Sequence, residues 1–226
     1  MQGGTKRYKQ SFPSSGLRSL GSHGFVHESF LERRMKLFAD LVRRIPKPIT
    51  LLDVGGTVEF WRGRIPEECS VTILNMFYQK PMQCVQVYVG DGCDLARFED
   101  RSFDVVFSNS VLAFVGGTDQ QHRMAAEIRR VGRRYFVQTP NQRFPLDWRT
   151  LVPFFHWLSP SVQAWCFLKI PVGRYEKVRD ATLASTLATR VRDLTYSELR
   201  RLFPEGTIVS ERLLGLTKSF MVHYGF

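Results

Sequence analysis

The sequence predicts an α/β fold built on a doubly wound, mostly parallel sheet, and three observations lead there. The first is Ile49 to Val54, a β-prone apolar run entered through Pro46 and Pro48, which breaks on the carboxylate Asp53 and then on Gly55 and Gly56. An apolar run without polar alternation suits a strand covered on both faces, as parallel strands are. The second is repetition. Apolar runs at 71–74, 84–89, 105–107 and 135–138 are separated by helical or turn-rich stretches, and that alternation calls for parallel strands joined by crossover helices. The third is the glycine pair itself. It lets the backbone turn sharply and approach a ligand with no Cβ in the way, at the strand end where open α/β sheets place their sites.

Taken in order, residues 1–24 are rich in Gly, Ser, Lys and Arg without periodicity and read as a flexible arm. From Glu28 to Ile45, Leu31, Met35, Phe38, Val42 and Ile45 recur at helical spacing, and Pro46 ends the helix. Val58 to Arg64 starts a short helix, and Val71 to Leu74 is a second strand ending at Asn75. Asn75 lies 22 residues after Asp53, about the spacing at which a dinucleotide-type βαβ unit presents a side chain to a ribose. A carboxylate is usual there; the neutral Asn75 amide accepts more weakly. Cys84 to Val89 is the third strand, running into Gly90-Asp91-Gly92-Cys93-Asp94-Leu95. Val105 to Phe107 is the fourth, followed by Ser108-Asn109-Ser110; Asp119 to Val131 is an amphipathic helix and Tyr135 to Gln138 the fifth strand. Asp180 to Val191 alternates small and apolar residues and reads as a mobile lid. Leu194 to Phe203 is a helix with Thr195 as its cap and Glu198 at capping-box spacing. Thr207 to Val209 and Lys218 to His223 are the last strands.

The length, 226 residues, suits one domain over 25–226 with an insertion at about 142–192. The net charge of +11 admits a nucleic acid, an anionic membrane surface or acidic small molecules as partners. Many arginines fall on helix faces, as in Arg33-Arg34, Arg129-Arg130 and Arg200-Arg201, where solvation is the default. Cys69, Cys84, Cys93 and Cys166 show no metal-ligand spacing and read as free thiols of a reducing compartment. The N-terminus shows no apolar h-region, so a cytoplasmic location is expected. The insertion is strongly aromatic. Thr150 to Leu168, 19 residues, contains no Lys, Arg, Asp or Glu, close to the ~20 that span a bilayer. Pro153, Pro160, His156 and Gln163 argue against a spanning helix. A helical hairpin packed on the sheet edge or on a second subunit, an apolar acceptor pocket lined by Trp148 and Phe154, and a membrane-surface contact are the readings that stand.

Four stretches resemble the class I S-adenosylmethionine-dependent methyltransferases, most closely the methyltransferase type 11-like branch of ubiquinone and menaquinone biosynthesis. They are Leu-Leu-Asp-Val-Gly-Gly-Thr at 51–57, Gly-Asp-Gly-Cys-Asp-Leu at 90–95, Phe-Asp-Val-Val-Phe-Ser-Asn-Ser-Val at 103–111 and Tyr-Phe-Val-Gln-Thr-Pro-Asn at 135–141. The resemblance implies a seven-stranded Rossmann-like sheet with an antiparallel last strand, S-adenosyl-L-methionine as cofactor, and a helical insertion after the fifth strand that sets substrate choice. It places the Gly55-Gly56 turn against the methionine part, with Asp53 organising the turn and Thr57 beside it. Asn75 would face the ribose, Met76 the adenine ring and Asp91 the adenine amine. Gly92 and Cys93 would offer backbone amides, and Ser108 its carbonyl to the ammonium. Thr57 and Glu59 stand where later glycines of the family's first loop would be. Ala113-Phe114 stands where the branch often has Glu-His, so no general base is implied, and His122, His156, Asp147 and Glu59 offer no clear substitute. The acceptor expected is small and apolar or lipid-like. A nucleic-acid acceptor would suit the charge, but Ser108-Asn109-Ser110-Val111 replaces the Asn/Asp-Pro-Pro-aromatic motif of the amino-methylating enzymes. A non-catalytic membrane-surface protein is the third reading.

Overall fold

The computed structural model describes residues 23–226, with side chains from residue 29; most of the arm read at 1–24 lies outside the described residues. Helix α1 (His23–Val42) precedes β1 (Ile49–Val54), α2 (Val58–Trp61), β2 (Cys69–Asn75), β3 (Val85–Val89) and β4 (Val105–Asn109). Then come α3 (Thr118–Val131) and β5 (Tyr135–Pro140). The insertion holds β6 (Leu146–Asp147), β7 (Val152–Pro153), a 3₁₀ turn at Phe155–Trp157, α4 (Pro160–Lys169) and α5 (Ala181–Thr189). Helix α6 (Tyr196–Leu202) and strands β8 (Thr207–Leu213) and β9 (Leu216–Tyr224) complete the chain.

Seven strands form one sheet in the order β3-β2-β1-β4-β5-β9-β8. Strands β1 to β5 run parallel, and β9 is antiparallel to both β5 and β8. This is the doubly wound, seven-stranded arrangement that the sequence led us to expect. Alternate residues of the central strands feed two cores. Leu52, Val54, Val106 and Val137 pack with α3 and α6 on one face. Leu51, Val105, Phe107 and Phe136 pack with α1 and Trp61 on the other. On that second face Phe107 and Phe136 stack at 5.7 Å, and Phe38 meets both edge-on, the geometry aromatic quadrupoles favour.

Two elements differ from expectation. The buried stripe of α1 is Phe30, Arg34, Phe38, Leu41 and Val42, so an arginine sits where solvation was the default. Asp180 is the N-cap of α5, accepting from Leu183 N at 2.6 Å, so the stretch read as a lid is an ordered helix. It packs on α4 around Phe155, Phe167, Val172 and Ala184, giving the insertion a small core of its own. The capping box at Thr195 and Glu198 forms in full. Among the described residues no helix is long and apolar enough to cross a membrane.

Candidate functional site

The strand order reverses direction between β1 and β4, and in open α/β sheets ligands bind at that switch, beyond the carboxyl ends of the strands. Three loops converge there. Gly55 has φ 85° and donates its N–H to Leu74 O at 2.7 Å. A Cβ on it would lie 2.5 Å from a Val111 methyl, so the loops after β1 and β4 touch at this glycine. A Cβ on Gly56 would lie 1.6 Å from Asp53 Oδ2. Gly92, in the loop after β3, is equally close-set: a Cβ there would meet Val54 at 2.8 Å. Ser108 is buried and donates from Oγ to Val54 O at 3.2 Å, tying β4 to β1.

Asp53 is buried, and its Oδ2 accepts from Trp61 Nε1 at 2.6 Å while Oδ1 has no partner. Burial penalises the charged form and lifts the carboxyl from 3.8 to about 7, with the Trp61 hydrogen bond opposing. Asn75 is buried and donates from Nδ2 to Gly56 O at 2.7 Å and Gly55 O at 3.2 Å. Gln79 adds a second clamp, donating to Gly56 O at 3.2 Å and accepting from Val58 N at 2.9 Å. No periodicity or motif singles out Gln79 in the sequence. The amide of Asn75 thus holds the glycine turn, which changes what a carboxylate there would do. Asn75→Asp sets an acceptor against two carbonyl oxygens and should destabilise the fold by about 1–3 kcal/mol; equal melting temperatures for variant and wild type would refute this.

The remaining predicted cofactor residues divide between cradle and rim. Asp91 is exposed and its Oδ1 accepts from Cys93 N at 2.9 Å, shaping its own turn. Cys93 Sγ donates to Gln120 O at 3.3 Å, and burial, with the Asp91 charge second, pushes the thiol up to about 11. A thiol so placed is a poor nucleophile near neutral pH. Thr57 caps α2, accepting from Phe60 N at 3.3 Å. Met76 stands 76% exposed just beyond β2, open for a planar group to lie against.

A second cluster lies at the same end of the sheet, beside β4, β5 and β9, and sequence reasoning passed over most of it. Buried Arg34 donates from Nη2 to Glu211 Oε2 at 2.8 Å and from Nε to Oε1 at 3.2 Å. It also reaches Asn109 Oδ1, and Ser219 Oγ donates to Glu211. Trp148 stacks on Phe144 at 5.8 Å, and its Nε1 is buried without a partner. Phe154, by contrast, has φ 61°, is 52% exposed and lies against Trp157 on the surface. Asp147 grips Arg149 at 2.8 and 3.1 Å, and nearby Asp193 is raised by burial, with Arg149 opposing. His156 places Nε2 at 2.9 Å from Gln142 O. His122 and Glu59 are exposed. Among the described residues no group of His, Cys, Asp and Glu could hold a metal ion.

Residues 67–135, from just before β2 to the start of β5, match the methyltransferase domain family Methyltransf_11. The match begins after the first glycine loop, the stretch in which Thr57 and Glu59 depart from the family pattern. No curated protein matches the chain in sequence. Among solved structures, a Burkholderia thailandensis 1,6-didemethyltoxoflavin-N1-methyltransferase, with bound 1,6-didemethyltoxoflavin and S-adenosylhomocysteine, superposes with a TM-score of 0.53. It is 15% identical over 88% of this chain and 79% of its own. An Anabaena variabilis methyltransferase attributed to an antibiotic biosynthesis pathway gives 0.52 at 16% identity, over 79% of this chain and 64% of its own. A structure of the Haloferax volcanii Trm112 methyltransferase activator in complex with a methyltransferase gives 0.50 at 12%, over 89% and 93%. By its strand order and by these likenesses, the chain has the Rossmann-like fold of the methyltransferases.

Proposed function

We propose that the protein is an S-adenosyl-L-methionine-dependent methyltransferase, a single domain over 25–226, that methylates a small, apolar or lipid-like acceptor. The observation that carries this reading is the cradle at the switch point. Gly55, Gly56 and Gly92 let the loops close on one another where a Cβ would collide with Val111, Asp53 and Val54, and the buried Asp53 Oδ1 is unpaired at that junction. These residues fit a cofactor with a cationic amino-acid end and a ribose. Asp53 and the Gly55-Gly56 turn would hold the methionine part, with Ser108 beside it. Asn75 and Met76 would take the ribose and ring, and Asp91 with Gly92 and Cys93 the adenine edge. When bound, that cofactor supplies a methyl group already activated on a sulfonium. What remains for the chain is to bring the acceptor into line and exclude water, work for the insertion with Trp148 at its inner edge. The family match at 67–135 and the bound S-adenosylhomocysteine of the Burkholderia neighbour support the cofactor. The Methyltransf_11 match is compatible with the quinone-biosynthesis branch.

Calorimetry with S-adenosylhomocysteine tests the cofactor. Asp91→Ala should weaken binding by about 1.5–3 kcal/mol through loss of a charge-assisted hydrogen bond; wild-type affinity in a folded variant would remove Asp91 from the site. A salt titration tests the acceptor class. Turnover on a small acceptor should be nearly flat from low to moderate salt, whereas a polyanion would give a steep log–log decline.

A further inference from the structure

Among the described residues, Lys218 is a cation of the second cluster that makes no salt bridge, whereas Arg34 and Arg149 each hold a carboxylate. It occupies a β-bulge: Glu211 pairs with Ser219 and Arg212 with Thr217, leaving Lys218 as the extra residue of β9. Bulges re-aim side chains and are common next to active sites. Here the side chain is buried, with Nζ 4.0 Å from the centroid of the Phe30 ring and 4.7 Å from that of Trp148. Its backbone O accepts from Asn141 N at 3.0 Å, fixing it at the carboxyl end of β5, where sites of this fold lie. Among the described residues nothing accepts a hydrogen bond from Nζ. Two rings stabilise an ammonium through their faces but take none of its protons.

The charge balance points to what is missing. Glu211 gives both oxygens to Arg34 and accepts from Ser219 as well, so that carboxylate is already engaged. Asp147 pairs with Arg149 either side of Trp148, and Asp193 acts on that pair; the charges that act on Lys218 are Glu211 and Arg34. Among the described residues, Arg34, Glu211 and Lys218 together carry one more positive than negative charge, and a buried charge is costly unless paired. Beside it the Trp148 Nε1–H is also buried and unpartnered. A buried orphan N–H, and an ammonium that lies 4.0 and 4.7 Å from two ring centroids with no acceptor among the described residues, suit an anionic oxygen carried on an apolar body.

We propose that Lys218, with Trp148 Nε1, binds an anionic oxygen of the methyl acceptor, a carboxylate or an ionised phenol, and that Phe30 and Trp148 pack on the apolar body bearing it. The acceptor role rests on the methyltransferase reading; the anion site does not. Desolvation, with Arg34 in support and Glu211 opposing, lowers the ammonium to about 8. Anion binding requires the protonated amine, so affinity should fall tenfold per pH unit above that value.

The test is calorimetric titration of the full chain with benzoate and with 4-nitrophenolate, each with and without saturating S-adenosylhomocysteine, using benzyl alcohol as the neutral control. Saturable binding of either anion is expected, at least tenfold weaker in Lys218→Met and several-fold weaker in Trp148→Phe, which keeps the ring and removes the N–H. The wild type should lose affinity above about pH 8 while Lys218→Met stays flat, a profile that a merely structural lysine would not give. Benzyl alcohol should not distinguish the variants. If neither anion binds the wild type, or both bind Lys218→Met equally well, the site is refuted. If anions bind but S-adenosylhomocysteine does not, the methyltransferase reading falls and the anion site stands.

Discussion

Glu211→Gln should lower stability by about 3–5 kcal/mol, because it leaves Arg34 charged and buried without its counter-charge. Arg34 and Glu211 are each about 5% exposed at the side chain and meet through two hydrogen bonds, so solvent offers little relief. For a domain of this size that corresponds to a fall of roughly 6–20 °C in melting temperature. The measurement is a thermal melt of the variant beside wild type and the double variant Arg34→Met/Glu211→Leu. Removing both charges should restore most of the loss, since a buried pair contributes less than either partner costs when stranded. A double variant as unstable as the single one would mean that the cost lies in packing and not in charge. The pair also joins α1 to β8 and, through Asn109, to the end of β4, so the single variant should loosen the wall of the second cluster.

Asp53→Asn should make the ligand-free protein more stable above pH 7 and leave it nearly unchanged below pH 4. The folded carboxyl titrates at about 7 and the unfolded one near 3.8. Between these values the native state holds a proton that the unfolded state has released, so wild-type stability falls as pH rises through the window and then levels off. At roughly 1.4 kcal/mol per pH unit, a fully developed effect is about 4 kcal/mol, the stabilisation expected of the variant at pH 8. Chemical denaturation at pH 4, 6 and 8 reads it directly; parallel curves for variant and wild type would mean that Asp53 titrates normally. The same substitution should weaken S-adenosylhomocysteine binding above pH 7, where wild type can offer an ionised, unpaired Oδ1 to a cationic amine. Gain in stability with loss of ligand is the signature of a group kept for its site.

The sheet and its order of use were legible in the sequence because they follow from local pattern. Five parallel strands announce themselves as apolar runs, and β1 spans the residues read for it, Ile49–Val54. The capping box at Thr195 and the turn at Asp91 are likewise short-range, each set by neighbours a few residues apart; the glycine pair was legible as a turn, but the contacts that hold it and Ser108 come from other strands. The second cluster was not legible. Arg34 sits in an arginine-rich helix where solvation is the default, and its carboxylate lies 177 residues away. Lys218 is an ordinary strand lysine until a bulge in β9 turns it beneath Phe30 and Trp148. Asn75 was legible as the end of the second strand, but only the folded turn shows its amide holding the carbonyls of Gly55 and Gly56. Of the aromatic insertion, composition showed that its rings had to be accounted for. Tertiary packing decided which: Phe155 and Phe167 went to a local core and Trp148 to the lysine, while Phe154, Trp157 and Trp165 stayed at the surface. The sequence by itself determined where backbone would turn and which faces would be apolar, because those depend on local sterics and spacing. Only the tertiary structure decided which charges would be buried together, because desolvation and pairing are set by residues that meet across the fold and not along the chain.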